Sequence, residues 1–424
     1  MREARGIVGF LAPLALLVGA DGASAQVRGP DCVATAEARA TEPRSTTFAD
    51  VVSDDTDYSG VFVLSCAGGL EAFDYDLGVR VTADENPNRR HRGLDLNDDL
   101  GLDLRIRDLK IATDVGSESY LIFGYHALNT DPSYAFQPIG LFGDSADYST
   151  FLDRTFERES SPMARFEHYF GDVLAAATLS ENRRHDLGSL QFVTSAAFSV
   201  GNTDAQLLYR YDEELGSGAG GAFSTVIGEG LQLHGSAFVQ RGSARRYHAD
   251  AISGTLRFRT ADDSPIGRHR LDADDLVLRA VIGGHYTFRS GHNLLVELIH
   301  DGEGMSDAEW GRYVDVVDFH RNAPAPAVAR AGNLGFDASV LGSANMQNYA
   351  FARYSLGPRA SNLSLSALVN LSDGSTRLTV DAFREIGDSV EIYGNVSMNS
   401  GCRTCDFGLL PERYSANLGL SLRF

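Results

Sequence analysis

The sequence predicts an all-β protein, an antiparallel transmembrane β-barrel of about 16 strands, with about 14 to 18 left open by the pattern. Three observations lead there. The final residues alternate, with Tyr414, Ala416, Leu418, Leu420, Leu422 and Phe424 on one face and Ser415, Asn417, Gly419, Ser421 and Arg423 on the other. That length fits one tilted crossing of a bilayer, where only a helix or a closed barrel leaves no backbone group unpaired. Outside the opening residues, no window reaches the roughly 18 apolar residues of a spanning helix. Along the rest of the chain, alternating segments are joined by tight Gly-containing turns and by long connections.

Residues 1–25 read as a secretory signal peptide. Arg2 and Arg5 precede an apolar run from Ile7 to Val18, and Ala23-Ser24-Ala25 is a small-x-small cleavage site before Gln26. Residues 26–69 form a leader rich in Thr, Ala, Asp and Arg, with a short apolar run from Val61 to Leu64. It is expected as a disulfide-tied cap, a partial plug, a lone strand inside the wall, or a poorly ordered extension. The alternation begins at residue 70, and residues 70–424 form the expected barrel. Phe73, Tyr75, Leu77, Val79 and Val81 share a face opposite Asp74, Asp76, Gly78 and Arg80. Leu100, Leu102, Leu104 and Ile106 follow, and a phase slip near Asp108-Leu109 predicts a β-bulge. Further strands are expected at 118–128, 161–170, 173–181, 189–200, 204–212, 221–228, 231–240, 276–289, 292–300, 346–357, 361–371, 375–386 and 388–398. The segment 251–259 reads as an extra strand or as a ribbon standing above the membrane. Most of the long connections, 83–98, 129–160, 241–275, 301–345 and 399–412, fall at one end of the strands.

The signal peptide, the alternation, the turn asymmetry and the terminal Phe424 resemble the Gram-negative outer-membrane β-barrels, and among them the porin-like channels, over residues 70–424. The resemblance implies short periplasmic turns, long outer loops, an even strand number and a periplasmic carboxy-terminus. It also implies residence in the outer membrane, contact with its lipids and lipopolysaccharide, and recognition of the last strand by the barrel-assembly machinery. No specific porin family is matched, so no substrate carries over. An apolar outer wall suits lipid and a second copy alike, which leaves a homo-oligomer open.

The formal charge of −20, from 57 acidic and 37 basic residues, argues against a nucleic-acid partner. The face opposite the apolar one supplies the candidate lumen groups. The basic ones are Arg80, Arg105, Arg107, Arg165, Arg210, Arg279, Arg289, Arg353 and Arg377; the acidic ones are Asp74, Asp76, Asp103, Glu167, Asp212, Glu297, Asp381, Glu385 and Glu391. The two sets balance, and no clear lumen position is Lys. The wall is therefore roughly neutral, with the excess negative charge in loops and leader. Such groups either act as charged rings that select solutes or simply satisfy one another in a wet interior.

The 301–345 connection carries its own helix signal. Ser306-Asp307-Ala308-Glu309 has capping-box spacing, and Met305 can staple onto Trp310. Trp310, Tyr313, Val314 and Val317 then share a helical face. In the porins that the chain resembles, a long loop folds inward and narrows the channel, after an earlier strand than this one. This connection is expected to be a constriction or cap, with Asp307, Glu309, Arg312 and Asp315 as its polar groups beside Trp310; an extracellular decoration is the alternative.

Four cysteines in an exported chain imply oxidised pairs, Cys32 with Cys66 on the periplasmic side and Cys402 with Cys405 within a late loop. A metal site at Cys402-Arg403-Thr404-Cys405 is the competing reading. It lacks a second Cys-x-x-Cys or a His pair nearby, so no metal is expected, and no cofactor either. The 11 His are scattered without a nucleophile motif, and no enzyme is expected. Asp95 to Asp99 is acidic but lacks the Gly and terminal Glu of an EF-hand. The expected function is passive diffusion of small hydrophilic solutes or ions. A plugged structural or binding barrel at the cell surface, and an export pore for an anionic polymer, are the alternatives.

Overall fold

The computed structural model describes residues 28–43, 48, 57–70, 73–84, 102–126, 128, 130–142, 160–183, 187–259, 266–268, 276–342, 344–357 and 361–424. The signal-peptide segment and the acidic run Asp95 to Asp99 lie outside them. In chain order the strands are β1 (Arg28–Pro43), β2 (Asp57–Leu70), β3 (Phe73–Asp84), β4 (Leu102–Gly116), β5 (Ser119–His126), β6 (Ser161–Phe170) and β7 (Val173–Asn182). They continue with β8 (Ser189–Val200), β9 (Thr203–Asp212), β10 (Gly216–Ile227), β11 (Leu231–Arg241), a small ribbon of β12 (Arg246–His248) with β13 (Ile266–Arg268), and β14 (Leu276–Thr287). The last are β15 (Asn293–Asp301), β16 (Asn348–Leu356), β17 (Ser361–Asn370), β18 (Thr376–Ile386), β19 (Val390–Ser400) and β20 (Glu412–Arg423). All but the ribbon form one 18-stranded sheet of antiparallel neighbours, closed where β1 pairs with β20.

The period-two pattern fixes the two faces. On β20, Leu418, Leu420 and Leu422 point out and are exposed, while Asn417 is buried inside. Exposed leucines would be a liability in water; facing lipid, they are what the wall requires. Tight turns at Gly171, Gly201, Gly228, Gly291, Gly357 and Gly387 use positive φ, and all gather at the end where β20 finishes. We call this the turn end and the opposite one the loop end. No helix among the described residues is long and apolar enough to cross a membrane.

The wall has two more strands than the sixteen counted from alternation, and both come from the leader. Residues 28–43 and 57–70 are staves of the barrel rather than a cap or plug. On β1 the outward face is Ala34, Ala36, Ala38 and Ala40, paired with Leu422, Leu420, Leu418 and Ala416. Alanine hides the alternation because it is barely apolar, yet it closes the barrel. Cys32 pairs with Cys66 across the β1–β2 ladder, and Cys402 with Cys405 within the last loop.

Two other expectations shift. Strand β10 begins at Gly216, ahead of the expected 221, because its glycine run makes room for a ring: a Cβ on Gly218 or Gly220 would lie 2.5 and 2.8 Å from Phe238 on β11. The segment 251–259 is neither strand nor ribbon; it holds the end of a short helix, α1 (Ala249–Ser253), and the ribbon uses β12 and β13 instead. The bulge is present: Gly78 faces Asp108 while Val79 faces Ile106, so Arg107 is the extra residue. The bulge reverses the phase of β4. Lys110 therefore points inward and binds Asp76 at 2.7 Å, which supplies the lumen lysine that simple alternation misses.

The closing seam is held by side chains as well as by its ladder. Tyr393 on β19 lies across Gly419 on β20, and its hydroxyl donates to Glu37 on β1 at 3.0 Å. A Cβ at residue 419 would stand 2.2 Å from that ring. Gly419→Ala must expel the ring and strip a buried hydrogen bond, at about 1–3 kcal/mol. Urea unfolding in detergent is expected to show a lower midpoint for Gly419→Ala than for Ser421→Ala one rung away; equal midpoints would remove the ring from the seam.

Candidate functional site

The interior is shaped first by residues 130–142, which leave β5 and fold back into the barrel. Asp131 organises this loop, accepting from the amides of Ser133 and Ile139 at 3.0 Å each and from Ser236 Oγ on β11 at 2.9 Å. Burial holds the Asp131 carboxyl above the usual carboxylate range, against the opposing pull of those amides. Glu297 on β15, fully buried, accepts from the amides of Tyr134 and Ala135 at 2.8 Å each and pairs with His234 Nε2 on β11 at 2.7 Å. Gln191 on β8 donates to the Leu141 carbonyl at 2.9 Å, and Arg279 on β14 to the Pro138 carbonyl at 3.1 Å. Beneath the loop, Ile139, Leu141 and Phe142 pack on Met163, Val193, Leu208 and Phe238 of the inner wall. Three strands, β8, β14 and β15, thus pin the loop through its own backbone, and β11 holds it through the Asp131 side chain.

A second body sits at the loop end. The 301–345 connection forms α2 (Asp307–Asn322) and α3 (Ala327–Ser339), and 400–412 carries α4 (Asp406–Leu409). The capping box of Ser306 with Glu309 is present, and Met305, Trp310, Tyr313 and Val317 share one buried cluster. That cluster includes Leu334 and Phe407 together with Leu295, Ile299, Tyr349, Phe351 and Leu368 of the inner wall, and Phe136 packs against it. The inner wall is therefore apolar where the lid docks, on β15, β16 and β17, a departure from the uniformly polar lumen that alternation suggests. Asp406 ties the parts together, accepting from Asn345 Nδ2 at 2.8 Å, Asn370 Nδ2 at 3.2 Å and the Tyr349 hydroxyl at 2.5 Å. Burial raises its carboxyl above the ordinary value, even against these three donors.

The expected lumen residues separate into three groups. Arg165 and Glu167 pair on β6 at 2.6 Å, Arg353 reaches Asp381 at 3.0 Å, and Arg80 donates to Thr82; Arg105 shares their inward face, opposite Arg80. Arg107 faces Asp108 at 3.6 Å beside the bulge. Asp103 lies on the same inner register, but its side chain is outside the described residues. Arg210, Arg279 and Glu297 are buried under the loops: Arg210 stacks on Phe238 and donates to Gln240 at 3.0 Å. Arg289 is a correction. It lies beyond the end of β14, 96% exposed beside Glu229 at the turn end, because the wall strand stops at Thr287.

The polar groups named on the 301–345 connection have structural work or face away. Glu309 closes the capping box, Arg312 donates to the Ala251 carbonyl at 2.9 Å, and Asp307 and Asp315 are exposed. Trp310 donates its indole N–H to the Thr404 carbonyl at 2.9 Å, which joins the lid to the disulfide loop. The residues that sequence reasoning missed are those of 130–142 and their anchor His234. Their only local signal is a long connection after an early strand.

A closed barrel with short turns at one end, long loops at the other and a loop folded into its interior has the architecture of outer-membrane porins. No protein-family model matches the sequence, and no curated protein does. Among solved structures, the chain is similar to OccAB1 of Acinetobacter baumannii, with a TM-score of 0.56 and 9% identity over 95% of this chain and 99% of that one. OccK8 (OprE) of Pseudomonas aeruginosa gives a TM-score of 0.53 and 11% identity over 93% and 98%. Wzi, an outer-membrane protein involved in group 1 capsule assembly in Escherichia coli and a carbohydrate-binding β-barrel, gives 0.52 and 9% over 98% and 87%. The likeness is one of fold, that of Gram-negative outer-membrane β-barrels.

Proposed function

We propose that the protein is an outer-membrane channel for passive diffusion of small hydrophilic solutes or ions. One observation carries this reading. The inward loop is pinned to one side of the lumen, on β8, β11, β14 and β15, and across from it β3 and β4 bear the half-buried charged groups Arg80, Arg105 and Lys110. A barrel of this strand number is wide enough for water once its loops take up one side. Fixed charges along a wet wall then set which solutes enter and leave, as side-chain rings do in other channels. The lid helices supply a second reading, a plugged binding barrel, since their apolar core fills the mouth over β15 to β17.

Purified protein in planar bilayers is expected to give a steady ohmic current, and a larger one after deletion of residues 305–335. Silence from both proteins would overturn the channel in favour of the plugged barrel. Block by polyuronates, with little effect of small anions, would point to export of an anionic polymer instead.

A further inference from the structure

Inside the lid, away from the lumen wall, lies a buried cluster of ionisable groups that the channel reading does not use. Asp337 of α3 accepts from His248 Nε2 at 2.8 Å on one oxygen and from His320 Nδ1 at 2.7 Å on the other. All three side chains are 0% exposed. The second nitrogen of His320 faces the Arg257 carbonyl at 3.0 Å. A carbonyl oxygen and a carboxylate can only accept, so both ring nitrogens must donate. Only an imidazolium can do that.

We infer that His320 is a buried imidazolium acting as a proton-dependent latch, holding α2, α3 and the irregular segment around Arg257 together as a closed lid. The inference rests on the channel reading for its consequence at the pore, not for the latch itself. The surroundings fit a single positive charge there. His320 lies in the last turn of α2, where the helix dipole favours a cation. Asp337 is its counter-ion, and His248 bonds the other carboxylate oxygen. Tyr313 donates its hydroxyl to the Asp337 carbonyl at 2.7 Å, and burial pushes that phenol far up, so it stays neutral. The remaining charges facing the cluster, Arg257 and Arg259, are both engaged by Asp250.

The direction of the switch follows from these contacts. Burial disfavours the charged ring, but the hydrogen bond and charge of Asp337 outweigh it and raise the His320 value above the ordinary one. A group raised in the folded state contributes fully below its unfolded value and is lost as pH climbs through the folded one. The lid is therefore tightest below the ordinary histidine value and loosens as pH climbs beyond it. Between the unfolded and folded values, each pH unit weakens the latch up to about tenfold.

The protein carries its own reporter, because its one Trp, Trp310, sits in the lid core. Acrylamide quenching of that fluorescence, in refolded full-length protein from about pH 5.5 to 8.5, is expected to rise through a one-proton transition. His320→Gln is expected to abolish the transition while the barrel keeps its heat-shifted gel mobility. Asp337→Asn should move the transition to lower pH, since it removes the counter-ion. A flat wild-type profile, or an unchanged transition in His320→Gln, overturns the latch. Conductance measured in parallel separates the two readings. A Trp310 transition without current at any pH keeps the latch and removes the channel, whereas current without the transition does the reverse.

Discussion

Deleting residues 28–43 alone is expected to abolish barrel folding, whereas deleting 28–70 is expected to be tolerated better. The reason is parity. β1 is antiparallel to both β2 and β20, so those two run parallel to each other. With β1 gone the wall has 17 strands, and the free edges cannot pair as antiparallel neighbours. Each backbone group left unpaired in hydrocarbon costs several kcal/mol, and β1 bonds along almost its full length on both edges. Removing the whole β1–β2 hairpin leaves 16 strands and brings β3 and β20 together in the correct sense. Heat-modifiable mobility on gels after refolding in detergent reports the outcome. Equal folding of the two deletions would contradict closure through β1.

Glu297→Ala is expected to free the inward loop and raise both the conductance and its noise. Glu297 serves three donors at once, the amides of Tyr134 and Ala135 and the ring of His234, all in a buried site. Truncation leaves each without an acceptor, at about 1–3 kcal/mol apiece. That total is enough to detach a loop whose remaining polar anchors are single hydrogen-bonding contacts to Ser236, Gln191 and Arg279. Glu297→Gln keeps the shape but offers one accepting oxygen, and should fall between wild type and the alanine variant. Conductance in Glu297→Ala indistinguishable from wild type would mean that residues 130–142 do not narrow the passage.

Much of this arrangement is readable in the chain, but unevenly. The outward stripe of β20, the bulge beside Asp108, both disulfides and the Ser306–Glu309 capping box all rest on spacings of a few residues or on compartment chemistry. The lid's docking place also has a sequence trace. Leu295 and Ile299 are apolar on the inner face of a strand whose outer face carries Val296 and Leu298. A stave greasy on both sides must be covered on the inside, and that signal marks where α2 and α3 pack.

Residue types and their period of two determine by themselves that this protein is a barrel in a membrane, since a strand's two faces are set by neighbouring residues along one segment. What the tertiary structure alone decides is how the inside is filled. The partners of residues 130–142 stand 50 to 163 positions away, at Gln191, Ser236, Arg279 and Glu297. The His248–Asp337–His320 contact likewise joins residues 17 and 89 positions apart. No local pattern encodes such meetings, because they form only once the closed wall holds distant inward-facing groups around one shared space.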